Sequence, residues 1–381
     1  MIILCAALIR SELISELEFI YVPRPDWFFY KVDASMADKI KLGVQMKVVK
    51  STFVKRAYHS CSVIGNTIYV YGGLSEGKIV LNEMHVYDVS TNNWNLVEPK
   101  RTGANTAIHR SAVPFPAWRL CQAHSLSHHT ANVITNRFIL VVGGWNGHKR
   151  TADVYCFDTN ESTWFCIPVS GDIPVGLSSH TSVVISSTET LIIGREGGVR
   201  TQRRFSGAFK LNFETGKYIE APFHTSSRSG HTANFINVRG NKDTSLIILG
   251  GRKSGGYEIV GSVQTFNSQT GTFANENMVS LVRHCCVCEE PSGRQHLQAI
   301  ELNSRYLLFY GGETWSGVRN NVTNEVFILG TYRMKWYQVP VDDQTPRLVG
   351  HSACIIGEKI LVVGGMLENK PTDTLWEMML C

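Results

Sequence analysis

Six times along this 381-residue chain a run of small or apolar residues ends in a glycine pair or its near equivalent: Gly72-Gly73, Gly143-Gly144, Gly250-Gly251, Gly311-Gly312 and Gly364-Gly365, with Gly194-Arg195 in the third slot. The first positions are separated by 71, 51, 56, 61 and 53 residues. A period of about 50 residues is that of arrays whose unit is a small β-sheet, and it is too long for most helical repeats.

The first full unit shows the strand order. HSCSVIG, NTIYVYGG, NEMHVYDV and NNWNLVEP are short, β-branched or aromatic runs separated by turn residues, which reads as four antiparallel strands. The turn chemistry of residues 88–93 recurs in FDTNESTW and FNSQTGTF. An aromatic opens the fourth strand at Trp94, Trp164, Tyr218, Phe273 and Trp336, which follow the first doublet position by 22, 21, 24, 23 and 25 residues. Such a sheet cannot bury its faces alone, so the six repeats imply one all-β, six-bladed propeller with four-stranded antiparallel blades.

The sixth repeat stops early. After Gly364-Gly365 the run TDTLWEMMLC holds a third strand and no fourth, and a ring left open there would expose unpaired edges. DWFFYKV, from Asp26, shares the pattern of TWFCIPV and KWYQVPV, so an N-terminal strand at residues 26–33 is expected to close blade six. Residues 1–25 then form an extension, 26–381 one propeller, 34–55 a basic connection belonging to no blade, and 56–381 the repeats. The connection carries Lys39, Lys41, Lys47, Lys50 and Lys55 against Asp33 and Asp38, and reads as a solvated link or a tether for an acidic partner.

With 43% hydrophobic residues the chain has ample core-forming material. Its net charge of +5 and pI of about 8.6 fall short of the strongly basic balance of a nucleic-acid binder, so neither nucleic acid nor membrane is expected as a partner. Ten cysteines are too sparse for a disulfide scaffold and point to free thiols in an intracellular, cytoplasmic or nuclear, monomer. The sequons at Asn160 and Asn321 are matches of a kind that arises often by chance. The apolar first residues lack a basic n-region, acids appear by Glu12 and Glu16, and no later run reaches the roughly 20 apolar residues of a span.

One histidine heads the first strand of each repeat in this reading: His59, His129, His180, His231, His284 and His351. Zinc–nitrogen bonds of about 2.0–2.1 Å need ligand atoms much closer together than packed sheets about 10 Å apart allow. A structural role is expected, each ring bonded to a backbone group near its own loop. In His284-Cys285-Cys286-Val287-Cys288 only Cys286 and Cys288 share a strand face, which favours a buried strand over a metal site. No GxSxG, P-loop or paired-carboxylate motif appears, so no catalytic residue, metal or cofactor is assigned and the chain reads as non-enzymatic.

The glycine doublet, the downstream aromatic and the His or Arg before the first strand resemble the kelch-repeat family, with coverage from about residue 56 to 381. RAYHSC, GGWNG, GLSSHT, REGGVRTQRR, HTSSRSGH and GGETW carry the resemblance. It implies a protein-interaction module, with an A-type cyclin as a candidate partner. A ubiquitin-ligase substrate receptor is the alternative it implies, and a kelch-fold copper oxidase a further one.

The residues themselves place partner binding on one rim. Arg195, Arg200, Arg203 and Arg204 follow a second strand, while Arg56, Arg228, Arg283 and Arg347 precede first strands, and both kinds of connection emerge on the same face. Guanidinium forks there suit the carboxylates of an acidic peptide. Trp145 and Trp315, just beyond glycine doublets, are candidate anchors. The competing reading pairs the pre-strand arginines internally with Glu83, Asp153, Glu325 and Asp373.

Overall fold

The computed structural model describes residues 43–98, 113–194, 205–226, 228–237, 244–253, 256–257, 262–267, 272–275, 291–303, 305–331 and 335–380. Six antiparallel sheets with a four-stranded body stand among them. In the first, Ser60–Ile64, Thr67–Tyr71, Met84–Asp88 and Asn93–Leu96 lie side by side in chain order, as the pattern of the first repeat requires. The second to fifth sheets begin at Thr130–Ile134, Thr181–Val184, Ser229–Asn237 and Gln298–Asn303, and the sixth at Ser352–Ile356. These innermost strands neighbour one another in sequence, and the sixth returns to the first.

The apolar core lies between successive sheets. Tyr71 and Met84 of the first sheet pack with Ile139, Val141, Phe157 and Trp164 of the second, and the Trp164 ring sits 4.5 Å from that of Tyr71. Ile68 and Val70 of the first sheet likewise pack with Leu361, Val363 and Leu375 of the sixth. Second strands are consequently covered on both faces, which is why Phe138–Trp145 is buried nearly throughout instead of alternating. The five fourth-strand aromatics fall in fourth strands, as expected.

An N-terminal strand does complete the sixth sheet, and it is Val44–Arg56, antiparallel to Lys370–Leu380 with Val44 opposite Leu380 and Arg56 opposite Thr372. The segment read as belonging to no blade therefore supplies the missing strand, while residues 26–33 lie outside the described residues. Val44 and Met46 point into the core and Gln45 and Lys47 outward. Register shifts between Val48 and Lys50 and between Ser51 and Arg56 break that alternation, and no aromatic opens the strand, its one aromatic being Phe53.

Among the described residues, four of the glycine doublets hydrogen-bond one sheet to the next. Gly72 has φ +65°, and a Cβ there would stand 2.3 Å from the Leu126 carbonyl oxygen of the second sheet's lead-in. The adjacent Gly73 N–H donates to that same oxygen at 2.8 Å. Gly144 to Leu177 (2.9 Å), Gly312 to Leu348 (2.9 Å) and Gly365 to Arg56 (2.8 Å) repeat the bond, the last tying the sixth sheet to the first.

Candidate functional site

At the axis, one residue per sheet adopts the left-handed conformation: Tyr58 (φ 57°), His128 (54°), Ser179 (54°), Gly230 (67°), His296 (53°) and Gly350 (65°). Backbone N–H groups link them around the ring, from Tyr58 to Gly350 O (2.6 Å), His128 to Tyr58 O (2.9 Å), Ser179 to His128 O (2.9 Å), Gly230 to Ser179 O (2.7 Å) and His296 to Gly230 O (2.7 Å). Four of the six are not glycine, so these bonds offset a conformation that costs of order 1 kcal/mol or more each.

Three of their side chains meet over the axis. Tyr58 stacks on His128 at 4.2 Å, and His296 stands edge-on to both at 5.2 and 5.9 Å. Gly350 and Gly230 make room, since a Cβ on either would lie 2.6 Å from the Tyr58 ring or 3.1 Å from the His296 ring. Burial holds His128 down to about 3, helped by the neighbouring His296, and His296 down to about 4.

Behind this cluster lies a channel cavity of about 280 Å³ lined by the innermost strands. His129 Nε2 meets Ser60 Oγ at 2.9 Å, His180 Nε2 meets Thr130 Oγ1 at 3.1 Å, and His231 Nε2 meets Thr181 Oγ1 at 2.9 Å. The partner is thus a hydroxyl of the preceding sheet, whereas the sequence reading expected a backbone group of the same blade. Burial above all keeps all three histidines neutral, at about 3. The fifth position is Leu297, heading Gln298–Asn303. His284 and its neighbouring cysteines lie outside the described residues. Among the described residues no group of three or more His, Cys, Asp or Glu is placed to hold a metal ion.

Arg56 and Arg228, expected on an exposed rim, are buried. They share with Arg294 the slot three residues before the histidine or its leucine substitute, with relative exposures of 0, 2 and 1%. Arg56 donates from Nη1 to Gly72 O at 3.0 Å and reaches Glu83 at 3.4 Å. Arg294 meets Glu325 at 2.8 Å, and Arg228 donates to Gly250 O at 3.0 Å. The internal-pairing alternative holds for Glu83 and Glu325. Leu126, Leu177 and Leu348 fill the same slot in the other sheets. Arg294 takes the place that the sequence pattern gives to Arg283, which lies outside the described residues.

Backbone bridges from Ala57 to Leu74, Ser127 to Trp145 and Val349 to Met366 put the lead-in to each first strand beside the connection from strand two to strand three, so both kinds of loop share one face. On that face Arg347 is exposed, and Trp145 is half-buried with the Arg150 guanidinium 6.0 Å from its ring centre. Trp315 is 51% exposed and Val318, three residues on, 86%. Arg195, Arg200, Arg203 and Arg204 lie outside the described residues, between the second strand Glu189–Ile193 and the third strand Phe205–Asn212.

Stacked four-stranded sheets joined by glycine doublets around an axial channel define a kelch-type propeller. The chain belongs to the kelch-repeat family: the family model of the KLHDC2/KLHL20/DRC7 Kelch-repeats domain matches residues 128–365, and that of the Attractin/LZTR1 beta-propeller matches residues 28–210. Kelch domain-containing protein 9 of Mus musculus is 28% identical over 341 residues, covering 85% of this chain and 91% of that protein. Adagio-like protein 1 of Oryza sativa subsp. japonica is 23% identical over 335 residues, covering 81% of this chain and 47% of that protein. The solved structure of YjhT shares the fold, with a TM-score of 0.57 at 14% identity over 86% of this chain and 96% of that one.

Proposed function

We propose that this propeller is a non-enzymatic module that binds a protein partner on its loop-bearing face. Kelch propellers typically serve as protein-interaction modules. The supporting observation is a set of exposed apolar side chains on loops of that face, Ile79, Val175, Trp315 and Val318, carried by hydrogen-bonded sheets. A rigid platform loses little entropy when it docks, so such side chains are suited to anchor a partner. Arg347 stands on the same face, and Arg195, Arg200, Arg203 and Arg204, which in sequence join a second strand to a third, add guanidinium groups that favour a partner presenting carboxylates.

Which protein binds there, an A-type cyclin included, is answered by proximity labelling in cells with the wild type beside two variants. Replacing Trp315 by Ala and Val318 by Asp together, or Arg200, Arg203 and Arg204 together by Ala, is expected to remove the same partner from the labelled set while leaving the melting temperature in place. Retention of every labelled protein by both variants removes the loop face from consideration.

A further inference from the structure

Of the five cysteines among the described residues, Cys121, Cys156 and Cys166 belong to the second sheet. The other two stand on different sheets, Cys61 on Ser60–Ile64 of the first and Cys354 on Ser352–Ile356 of the sixth. Both strands are innermost, and between them runs the seam where the sixth sheet meets the first. Two hydrogen bonds already cross that seam: the Gly365 N–H donates to Arg56 O at 2.8 Å, and the Ser352 hydroxyl donates to His59 O at 3.1 Å.

The register of the seam brings the two thiols together. Two residues on from Ser352 and from His59, on the same strand faces, stand Cys354 and Cys61. Both pack into the apolar layer that the first and sixth sheets share, alongside Val63, Leu361 and Val363. In the second and third sheets the same two positions are filled by Asn132 and Ser182, and these touch. Asn132 Nδ2 donates to Ser182 O at 3.1 Å, and Ser182 Oγ donates to Asn132 Oδ1. At the seam the Cys354 thiol is the hydrogen-bond partner of the Cys61 thiol, and this contact together with burial pushes Cys61 up, so that it rests as a thiol.

The pair is also within reach of small solutes. Cys61 lines the axial cavity of about 280 Å³, as do the residues at its position in the other sheets, Ala131, Ser182, Ala233, Ala299 and Ala353. Both cysteines are half-buried, not sealed in the core.

We propose that Cys61 and Cys354 are an oxidation site, a dithiol that hydrogen peroxide converts to a disulfide across the seam between the first and sixth sheets. One sulfur, on losing its proton, attacks a peroxide oxygen; the O–O bond breaks, the leaving hydroxide takes up that proton as water, and a sulfenic acid remains. The second sulfur then displaces the sulfenic oxygen as water, and the S–S bond forms. The sulfurs are oxidised and the peroxide is reduced to water, and a thiol such as glutathione reverses the step by exchange. The disulfide encloses nearly all of the repeats in one covalent loop, and so restrains the ring at its closing seam. It acts on the propeller itself and stands or falls separately from the loop-face interaction.

The test is oxidation of the full-length protein with hydrogen peroxide, followed by alkylation, proteolysis and mass spectrometry without reductant. A pair of peptides linked through Cys61 and Cys354 is expected, and dithiothreitol should release it. Closing so long a loop should raise the melting temperature by about 5 °C, and the reductant should return it. Cys61→Ala, which copies the alanine of four other sheets, and Cys354→Ser should each abolish both the link and the shift. Cys121→Ser, which removes a thiol of the second sheet, should keep both. Thiols at positions 61 and 354 that alkylate fully after exposure to peroxide, or a shift that survives in Cys61→Ala, overturn the proposal.

Discussion

Three of the inter-sheet joints are headed by a buried arginine, Arg56, Arg228 and Arg294, and three by a buried leucine, Leu126, Leu177 and Leu348. At Arg56 the backbone contact is the same as at the leucine joints, because Gly365 donates to the Arg56 carbonyl at 2.8 Å just as Gly73 donates to that of Leu126 at 2.8 Å. What differs is how the side chain is settled. Each guanidinium ties down a doublet carbonyl and, at Arg56 and Arg294, a glutamate, whereas leucine fills the slot by packing. At the four joints where a doublet N–H meets a lead-in carbonyl, glycine and main chain make the contact, and the side chain is one of two solutions to occupying the same space.

Acid should break all the histidine-bearing joints together and have the largest effect. His129, His180, His231 and His351 are held near 3 by burial, far below the ordinary value of about 6.5. The unfolded chain takes up protons below about 6.5 that the folded one refuses until about 3. Stability is therefore full above about 6.5 and falls with pH across that window, by about 1.4 kcal/mol per unit for each ring. Urea midpoints at pH 7, 6 and 5 should drop steeply, and an unchanged midpoint at pH 5 would show that these rings are not buried and neutral.

Next comes the main chain of one joint. Gly72→Ala adds a methyl 2.3 Å from the Leu126 oxygen at a φ of +65°, and it should cost about 3 kcal/mol or more in denaturant unfolding. A loss below about 1 kcal/mol means that the joint relaxes freely.

The side-chain comparison is sharpened at Arg294. Arg294→Ala leaves the Gly311 oxygen and Glu325 without their partner and opens a cavity, for about 2–3 kcal/mol after allowing for the partial exposure of Glu325. Arg294→Leu, the solution used at the other three joints, should cost less than half as much. Equal losses in the two variants would make the arginine and leucine joints different devices. The smallest effect is expected of Leu297→His, within about 1 kcal/mol by thermal melting, since the Thr232 hydroxyl of the preceding sheet stands where an imidazole would look for it.

The architecture was legible because its signals are local and repeated. Gly72-Gly73 and its counterparts mark the joints, and Trp164 or Trp336 marks a fourth strand, wherever the chain carries them. Val44–Arg56 has no glycine doublet and no aromatic at its start, and its bulges scramble the alternation that betrays a strand. The arginines misled for a different reason. Position before a first strand is readable, but burial is not, and Arg56 differs from the exposed Arg347 only by one residue of spacing relative to the histidine: Arg56 stands three before His59 and Arg347 four before His351. The Tyr58, His128 and His296 cluster was missed because it unites residues from three repeats, and in the fifth repeat the histidine was assigned to position 284.

That the finishing strand comes from the start of the chain sets a schedule for biosynthesis. At roughly 5–20 residues per second, Val44–Arg56 leaves the ribosome some tens of seconds before Lys370–Leu380 exists to receive it. Throughout that interval Val44–Arg56 lacks the strand it pairs with in the sixth sheet.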